Sequence, residues 1–192
     1  MIPALIQTAP PLAEPVTLTE ASAHLRLDAG GEEETLAAMI AAARGICENY
    51  TGRCFVRQGF SQFLDRFPVS GEIRLLRRPL LELEAVKIHD AAGGITEQNL
   101  SHYLTDQANA RVTLKDGVVP PRAGRKTGGI EIAFAAGYGD MPADVPQDIR
   151  QAVLRVLAAL YENRGEGAAA GQIIFASGAA DLLQPFRVTG VA

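Results

Sequence analysis

The chain has 192 residues, of which 47% are hydrophobic and 21% are charged, and its formal net charge is −4. This length and composition suit one globular domain with a substantial core. The excess of acidic residues argues against general affinity for nucleic acid, which depends on lysine and arginine displacing counterions. No apolar run approaches the roughly 20 residues that a membrane-spanning helix needs, so we expect no membrane contact.

The first residues predict an extended arm that leads into a helix. Residues 1–16 are apolar, contain several prolines and lack a basic start, so we expect an extended arm and not a signal peptide. Thr17, with Glu20 three residues later, forms the capping-box pattern that begins a helix. We therefore predict a first helix over residues 17–28.

Two longer helices are predicted, one near each end of the chain. Three consecutive glutamates begin the helix over residues 32–52, because the helix dipole favours negative charge there. The other helix covers residues 144–164, where Asp144 caps the first turn and apolar residues recur at spacings of three and four. Since the helix over residues 32–52 is rich in alanine, we expect these two helices to pack closely together.

Between these helices the hydrophobic pattern changes to an alternation of period two, which predicts strands with one buried and one solvent-facing side. Turn residues separate the alternating segments, so we predict a small antiparallel sheet over residues 54–137. The predicted fold class is α+β: a bundle of two N-terminal helices and one long C-terminal helix, with the sheet inserted between them. The resulting division is an arm over residues 1–16, a central domain over residues 17–164 and an extended C-terminal tail over residues 165–192.

The C-terminal tail carries an apolar cluster at residues 181–188, which is too apolar to be a solvated end. A link of small residues at 167–171 precedes it. Two docking sites stay open at this point, namely the chain's own domain and another polypeptide. The candidate contact residues are Leu182, Leu183, Pro185, Phe186 and Arg187.

The sequence shows no constellation of catalytic or metal-binding residues. His24, His89 and His102 are isolated, with no second histidine or carboxylate at ligand spacing on the same helix face. The two cysteines, Cys47 and Cys54, match no zinc-binding spacing, and we expect both to be reduced thiols. We therefore expect neither a cofactor nor enzymatic activity.

One basic cluster lies on a loop rich in proline and glycine, directly before a predicted strand. It consists of Arg122, Arg125 and Lys126. Such a cluster is suited to contact phosphate or an acidic protein surface. The alternative interpretation is a solvated loop without a partner.

Several longer segments follow a recognisable order along the chain. They are LTEASAHLRL at 18–27, AAARGICENYTGR at 41–53, a Leu-x-x-x-Pro-Leu stretch at 75–80, AVKIHDAAGG at 85–94, IAFAAGYGDMPADVPQDIRQAV at 132–153, LYENRGEG at 160–167 and DLLQPFRV at 181–188. In this order they resemble the head–tail connector (adaptor) family of tailed phages, which includes the related adaptors of gene transfer agents. The first two segments are similar to the family's first two helices.

The resemblance implies a structural role in a particle, with residues 17–164 as the connector domain. Family members form a ring, commonly of twelve subunits, beneath the portal protein at the DNA vertex of the capsid. They bridge to a stopper or tail-terminator protein, and DNA passes through the ring without sequence-specific binding. For this chain the resemblance implies a place in the neck of a virion or phage-like particle, and in the host cytoplasm during assembly. We expect the five tail residues to anchor the subunit to the portal.

Three other functions are compatible with the sequence. A tail-completion or stopper protein of the same neck is the first, although helices at both ends fit that role less well. A free-standing cytosolic binding module is the second. The third is an enzyme acting on a small substrate, which would need a pocket with a strongly perturbed titratable group.

Overall fold

The computed structural model describes residues 4–27, 33–163 and 170–188. Its helices are α1 (Leu18–Leu25), α2 (Glu33–Thr51), α3 (Gln147–Glu162), α4 (Ala170–Ala176) and α5 (Ala179–Leu183). Its strands are β1 (Ala4–Ala9), β2 (Gln58–Leu64), β3 (Glu72–Arg74), β4 (Leu80–His89), β5 (Ile95–Glu97), β6 (Tyr103–Asp106), β7 (Arg111–Leu114) and β8 (Ile130–Ala136). The α+β class predicted from the sequence is confirmed.

The described residues group into two compact units. The β unit contains those of Met1–Pro11 and Arg57–Gly137, and the helical unit contains those of Leu12–Val56 and Tyr138–Ala192. The chain therefore enters the β unit twice, once with β1 and once with all the other strands. Within the described ranges, no helix combines the length and apolar character that crossing a bilayer requires.

The β unit contains two antiparallel sheets, a five-stranded sheet in the order β1-β2-β8-β4-β5 and a three-stranded sheet in the order β3-β7-β6. Strands β2 and β8 pair with Phe60 opposite Phe134, and their rings stack with centroids 5.7 Å apart. Ile132 and Phe134 of β8 are buried, and so are Ile73 and Val112 of the smaller sheet. Period-two alternation in the sequence has this physical origin, because alternate side chains of a strand point to opposite faces.

The buried side-chain amide of Gln62 connects the larger sheet to the last residue of β3 and to the segment that follows it. The Gln62 side chain donates to the carbonyl oxygen of Arg74 at 3.0 Å and accepts from the amide of Leu76 at 2.9 Å. Because Gln62 is fully buried, these bonds offset the desolvation of its polar atoms. The bonds also fix the position of the segment after β3 against β2.

The helical unit is built on the apolar stripes of α2 and α3. Their buried residues recur at helical spacing and belong to one core: Leu36, Ile40, Ala43 and Cys47 from α2, and Ile149, Val153, Val156 and Leu157 from α3. The small side chain of Ala43 permits close approach of the two helices. The capping box that begins α1 is present as predicted, since the Thr17 hydroxyl accepts from the Glu20 amide at 3.2 Å.

The predicted and observed elements differ most at the two ends. At the N-terminus, residues 4–9 of the predicted arm form β1, which pairs antiparallel with β2. At the C-terminus, the tail is not extended, because α4 and α5 occupy most of residues 170–183. Four ranges lie outside the described residues, namely 1–3, 28–32, 164–169 and 189–192. They include the predicted last residue of the first helix, the predicted first residue of the second and the predicted last residue of the third. They also include the small-residue link up to position 169.

The C-terminal residues are helical because their apolar side chains recur at helical spacing. Ile173 and Ile174 in α4, and Ala179 and Leu183 in α5, all join the core that α2 and α3 form. Gly178 separates the two short helices with a φ of 68°, a left-handed conformation that glycine adopts without strain. Burial against α2 and α3 thus organises a segment that composition alone marks as a tail.

Candidate docking surfaces

The C-terminal segment, defined as residues 170–188, presents the predicted contact residues in different environments. Leu183 is 0% exposed and belongs to the core of the helical unit. Leu182 and Phe186 are half-buried against the same core, whereas Pro185 and Arg187 are exposed. In this conformation Leu183 holds the segment in place, and the other four residues reach the surface.

Thr51 at the end of α2 and Arg53, two residues later, hold the last turn of the C-terminal segment. The Arg53 guanidinium donates to the carbonyl oxygen of Phe186 at 2.6 Å, and the Val188 amide donates to the carbonyl oxygen of Thr51 at 2.9 Å. The Arg187 guanidinium lies over the Tyr50 ring, 4.8 Å from its centroid. These contacts fix the backbone on both sides of Arg187 while leaving its side chain at the surface.

Phe175 is a surface residue that sequence reasoning did not single out as a contact. Its side chain is 66% exposed, and its ring meets the Tyr50 ring edge to face at a centroid distance of 5.9 Å. The sequence signal for it was the apolar run at 173–175, in which two side chains turn inward and the third turns outward. Aromatic side chains are enriched in the cores of protein interfaces, so this ring is a candidate contact residue.

The second predicted cluster lies on the loop between β7 and β8. Arg122, Arg125 and Lys126 are all exposed, but only Arg125 is engaged by the loop itself. Its guanidinium donates twice to the carbonyl oxygen of Gly128, at 3.1 and 2.8 Å. Arg125 therefore shapes the loop, while the other two cations are available to a partner.

This loop lies close to the end of β4 and borders a groove. A β carbon at Gly124 would come within 2.7 Å of the Asp90 Cα, so only glycine permits this approach. The groove has a volume of about 930 Å³, and its lining includes Arg66, Phe67, Val119 and all three predicted cations. The structure thus brings the predicted basic residues together with a fourth cation from the segment after β2.

A polar cluster on the larger sheet corrects the prediction that His89 is isolated. The His89 imidazole Nε2 lies 2.8 Å from one carboxylate oxygen of Glu131, and the Ser61 hydroxyl donates to the other at 2.7 Å. These residues come together across three adjacent strands, a proximity that spacing along the chain does not reveal. Because the carboxylate separates the hydroxyl from the imidazole, the cluster lacks the serine–histidine contact that activates a nucleophile.

Glu131 links the stability of the β unit to pH. Burial raises its pKa, but the hydrogen bonds from Ser61 and His89 and the charge of Lys87 outweigh burial, so the pKa of Glu131 is lowered. A carboxyl with a lowered pKa stabilises the fold above its unfolded-state value of about 4.3 and loses that contribution as the pH falls through the folded value. We expect the urea concentration at the unfolding midpoint to decrease as the pH is lowered below about 4.3. The variant Glu131→Gln should show a smaller decrease over the same pH range. An equal fall in the variant would contradict this assignment.

The described residues contain no group of three or more histidine, cysteine, aspartate or glutamate side chains placed to hold a metal ion. Both cysteines are free and buried. Burial, with the nearby charge of Glu48, raises the pKa of the Cys47 thiol to about 12. A thiol with this pKa stays protonated at neutral pH and behaves as a small apolar side chain.

Comparisons with known proteins place this fold among particle proteins. No protein-family model and no curated protein matches the sequence. A structure described as the neck of an empty gene transfer agent particle, computed with C6 symmetry, matches with a TM-score of 0.82 and 26% identity over 98% of this chain and 97% of that chain. A virion structure of a native gene transfer agent particle matches with a TM-score of 0.82 and 27% identity over 98% and 97%. The neck of a native particle with C12 symmetry gives a TM-score of 0.76 and 28% identity over 100% and 98%.

The full-length agreement in both directions defines the class of protein. The chain is a structural component of the neck of a phage-like particle. The resemblance to head–tail adaptors, including those of gene transfer agents, that the sequence gives is confirmed.

Proposed function

We propose that this chain is the head–tail adaptor of a phage-like particle, forming a ring beneath the portal protein that joins the DNA-filled capsid to the tail. The observation that carries the proposal is the structural match to gene transfer agent necks, which covers 98% of this chain and 97% of the matched chain at a TM-score of 0.82. The match includes both the β unit and the helical unit, which supports a neck position for the whole chain and not for one unit alone.

The adaptor is proposed to act as a homo-oligomeric ring of twelve copies. Two of the matched neck structures have C6 and C12 symmetry, which supports a cyclic arrangement. A closed ring joins one surface patch of each subunit to a different patch of the next. DNA is proposed to pass through the opening without sequence-specific binding, and the net charge of −4 would limit its adhesion to the wall.

The role proposed here is mechanical and not catalytic. The matched structures are components of particles, and in the histidine–carboxylate pair described above the Ser61 hydroxyl contacts the carboxylate and not the imidazole. The adaptor is proposed to bind the portal protein on the head side and a stopper or tail-terminator protein on the tail side.

The exposed face of the C-terminal segment is the proposed portal contact. Pro185 and Arg187 are exposed, Leu182 and Phe186 are half-exposed, and the ring of Phe175 lies on the neighbouring helix. An apolar surface with one cation at its edge resembles the anchor regions of protein interfaces, where aromatic residues and arginine are enriched. Leu183 supports this face from below.

Substituting two exposed residues of this face tests the proposed function. We expect Phe175→Asp/Pro185→Asp to reduce the number of tailed particles at least tenfold when it replaces the wild-type chain, because charge opposes burial of the face against the portal. Electron microscopy of purified particles should show the wild-type ring between portal and tail, and DNA-filled heads with neither ring nor tail for the variant.

The control for this test is Leu12→Asp, which changes a side chain of the same unit that is 102% exposed. Circular dichroism and thermal unfolding should show that all three proteins fold. Normal tailing by the double variant would contradict the proposed contact. A wild-type chain that is absent from the neck would contradict the adaptor function itself.

A further inference from the structure

The groove beside the β7–β8 loop holds cations without acidic partners. Arg66, Arg122 and Lys126 line it and are exposed, and none of them forms an ion pair with any of the residues in the described ranges. The one carboxylate in the lining, that of Asp65, already accepts from the Gly128 amide at 2.8 Å. In a protein whose net charge is −4, this is a concentrated positive surface.

The groove is also apolar, which narrows the chemistry of its occupant. Val119 is 83% exposed on its wall, and two prolines and Phe67 continue the apolar lining. A nucleic-acid backbone would satisfy the cations but would leave these apolar groups without contacts. The complementary partner is a protein surface that carries carboxylates beside small apolar side chains.

The first turns of α2 have this chemistry. Glu33 and Glu34 are exposed, and within the described part of the chain neither has a cationic partner. Ala37 and Ala38 follow at a spacing of four, so each exposed alanine lies on the same helix face as one glutamate. By contrast, the exposed pair Glu82 and Glu84 is engaged within the subunit, because both carboxylates approach Arg57.

We infer that the groove of one subunit binds the N-terminal turns of α2 of the next copy of this chain. The carboxylates of Glu33 and Glu34 pair with Arg122 and Lys126, and the alanines cover the wall at Val119. This inference rests on the proposed ring, which needs two different patches on each subunit. The contact joins the β unit of one copy to the helical unit of its neighbour.

A charge exchange within one chain tests this contact. We expect Arg122→Glu/Lys126→Glu to lower the number of copies in purified particles at least tenfold, because like charges would face each other. Adding Glu33→Lys/Glu34→Lys to the same chain should restore the number to within about threefold of wild type, since the exchanged charges again attract. The copy number is measured by quantitative mass spectrometry of the particles.

Lys115→Glu is the matched control, because it reverses an exposed cation outside the groove and should leave the copy number unchanged. The inference is overturned if the groove variant assembles normally or if the charge exchange does not restore assembly. If the wild-type chain itself forms no ring, the proposed function fails, and this result is distinct from a wild-type ring without rescue.

A cross-link separates loss of the contact from loss of folding. With Lys126→Cys and Glu34→Cys in one chain, a short bismaleimide should join neighbouring copies in wild-type-like particles into a ladder on a denaturing gel. The native Cys47 and Cys54 are buried, so they should not react. The pair Lys115→Cys and Glu34→Cys should give no ladder. Absence of a ladder from the first pair in particles that contain the ring would overturn the inference.

Discussion

Replacing Leu183 by alanine is expected to lower the free energy of unfolding by about 2–5 kcal/mol, as measured by urea denaturation. The side chain is 0% exposed and packs into the core that α2 and α3 form. Removing it deletes buried apolar surface and leaves a cavity, because neighbouring helices relax only in part. This is the largest effect that we expect from a single substitution in the C-terminal segment.

The matched control is Gln184→Ala, one residue further along at an exposed position, which should change the unfolding free energy by less than about 0.5 kcal/mol. Equal stability of the Leu183 variant and the wild type would show that the segment does not stay on its own core in solution. A deletion after Gly178 would remove Leu183 together with Ala179 and Ala180, so it would mix instability with lost docking. Substitutions on the exposed face are therefore the proper test of portal binding.

Replacing Glu48 by alanine is expected to destabilise the helical unit by about 3 kcal/mol, because removing one partner of a buried ion pair leaves part of the Arg44 charge uncompensated. Glu48 is only 7% exposed. Its carboxylate accepts from the Arg44 guanidinium at 2.8 Å and from the Phe55 amide at 2.7 Å. Burial opposes the charge of Arg44, yet the carboxylates of Glu14 and Glu48 outweigh burial and raise the pKa of Arg44.

Glu48→Gln separates the ion pair that this carboxylate forms with Arg44 from the hydrogen bond that it accepts from the Phe55 amide. The amide oxygen of glutamine can still accept from Phe55. We therefore expect the free energy of unfolding to decrease by about half as much as in the alanine variant when both are measured by urea denaturation. Glu14, which accepts from Arg44 at 2.7 Å, should keep part of the cation's compensation in both variants. Equal losses for glutamine and alanine would assign the whole effect to the charge and none to the backbone hydrogen bond.

The helices and most strands could be predicted because their signals are local. The apolar stripe of α3, the capping box at Thr17 and the alternation in β4 and β8 each reflect the geometry of a few neighbouring residues. Strand β1 gave no such signal, since prolines follow it and all of its residues except Leu5 are exposed. Its structure comes from pairing with β2, whose residues lie fifty or more positions further along the chain.

The sequence could predict which residues the candidate surfaces contain, but it could not predict which of them the fold brings together or leaves exposed. The sequence identifies Arg122, Arg125 and Lys126 as a basic group, but Arg66 joins them through the fold of the β unit. In the same way, an apolar C-terminal cluster is evident from composition, whereas the division between buried Leu183 and exposed Pro185 depends on helix packing. Tertiary contacts decide which members of a cluster remain available to another protein.

The pairing of β1 with β2 gives the β unit a discontinuous origin along the chain. A fragment of residues 57–137 would contain seven of the eight strands, yet it would leave the backbone of β2 unpaired along one side. Uncovered strand edges recruit other strands and promote self-association. The unit is therefore not an excisable module, and its solubility depends on residues 4–9 folding back onto a strand that is synthesised much later.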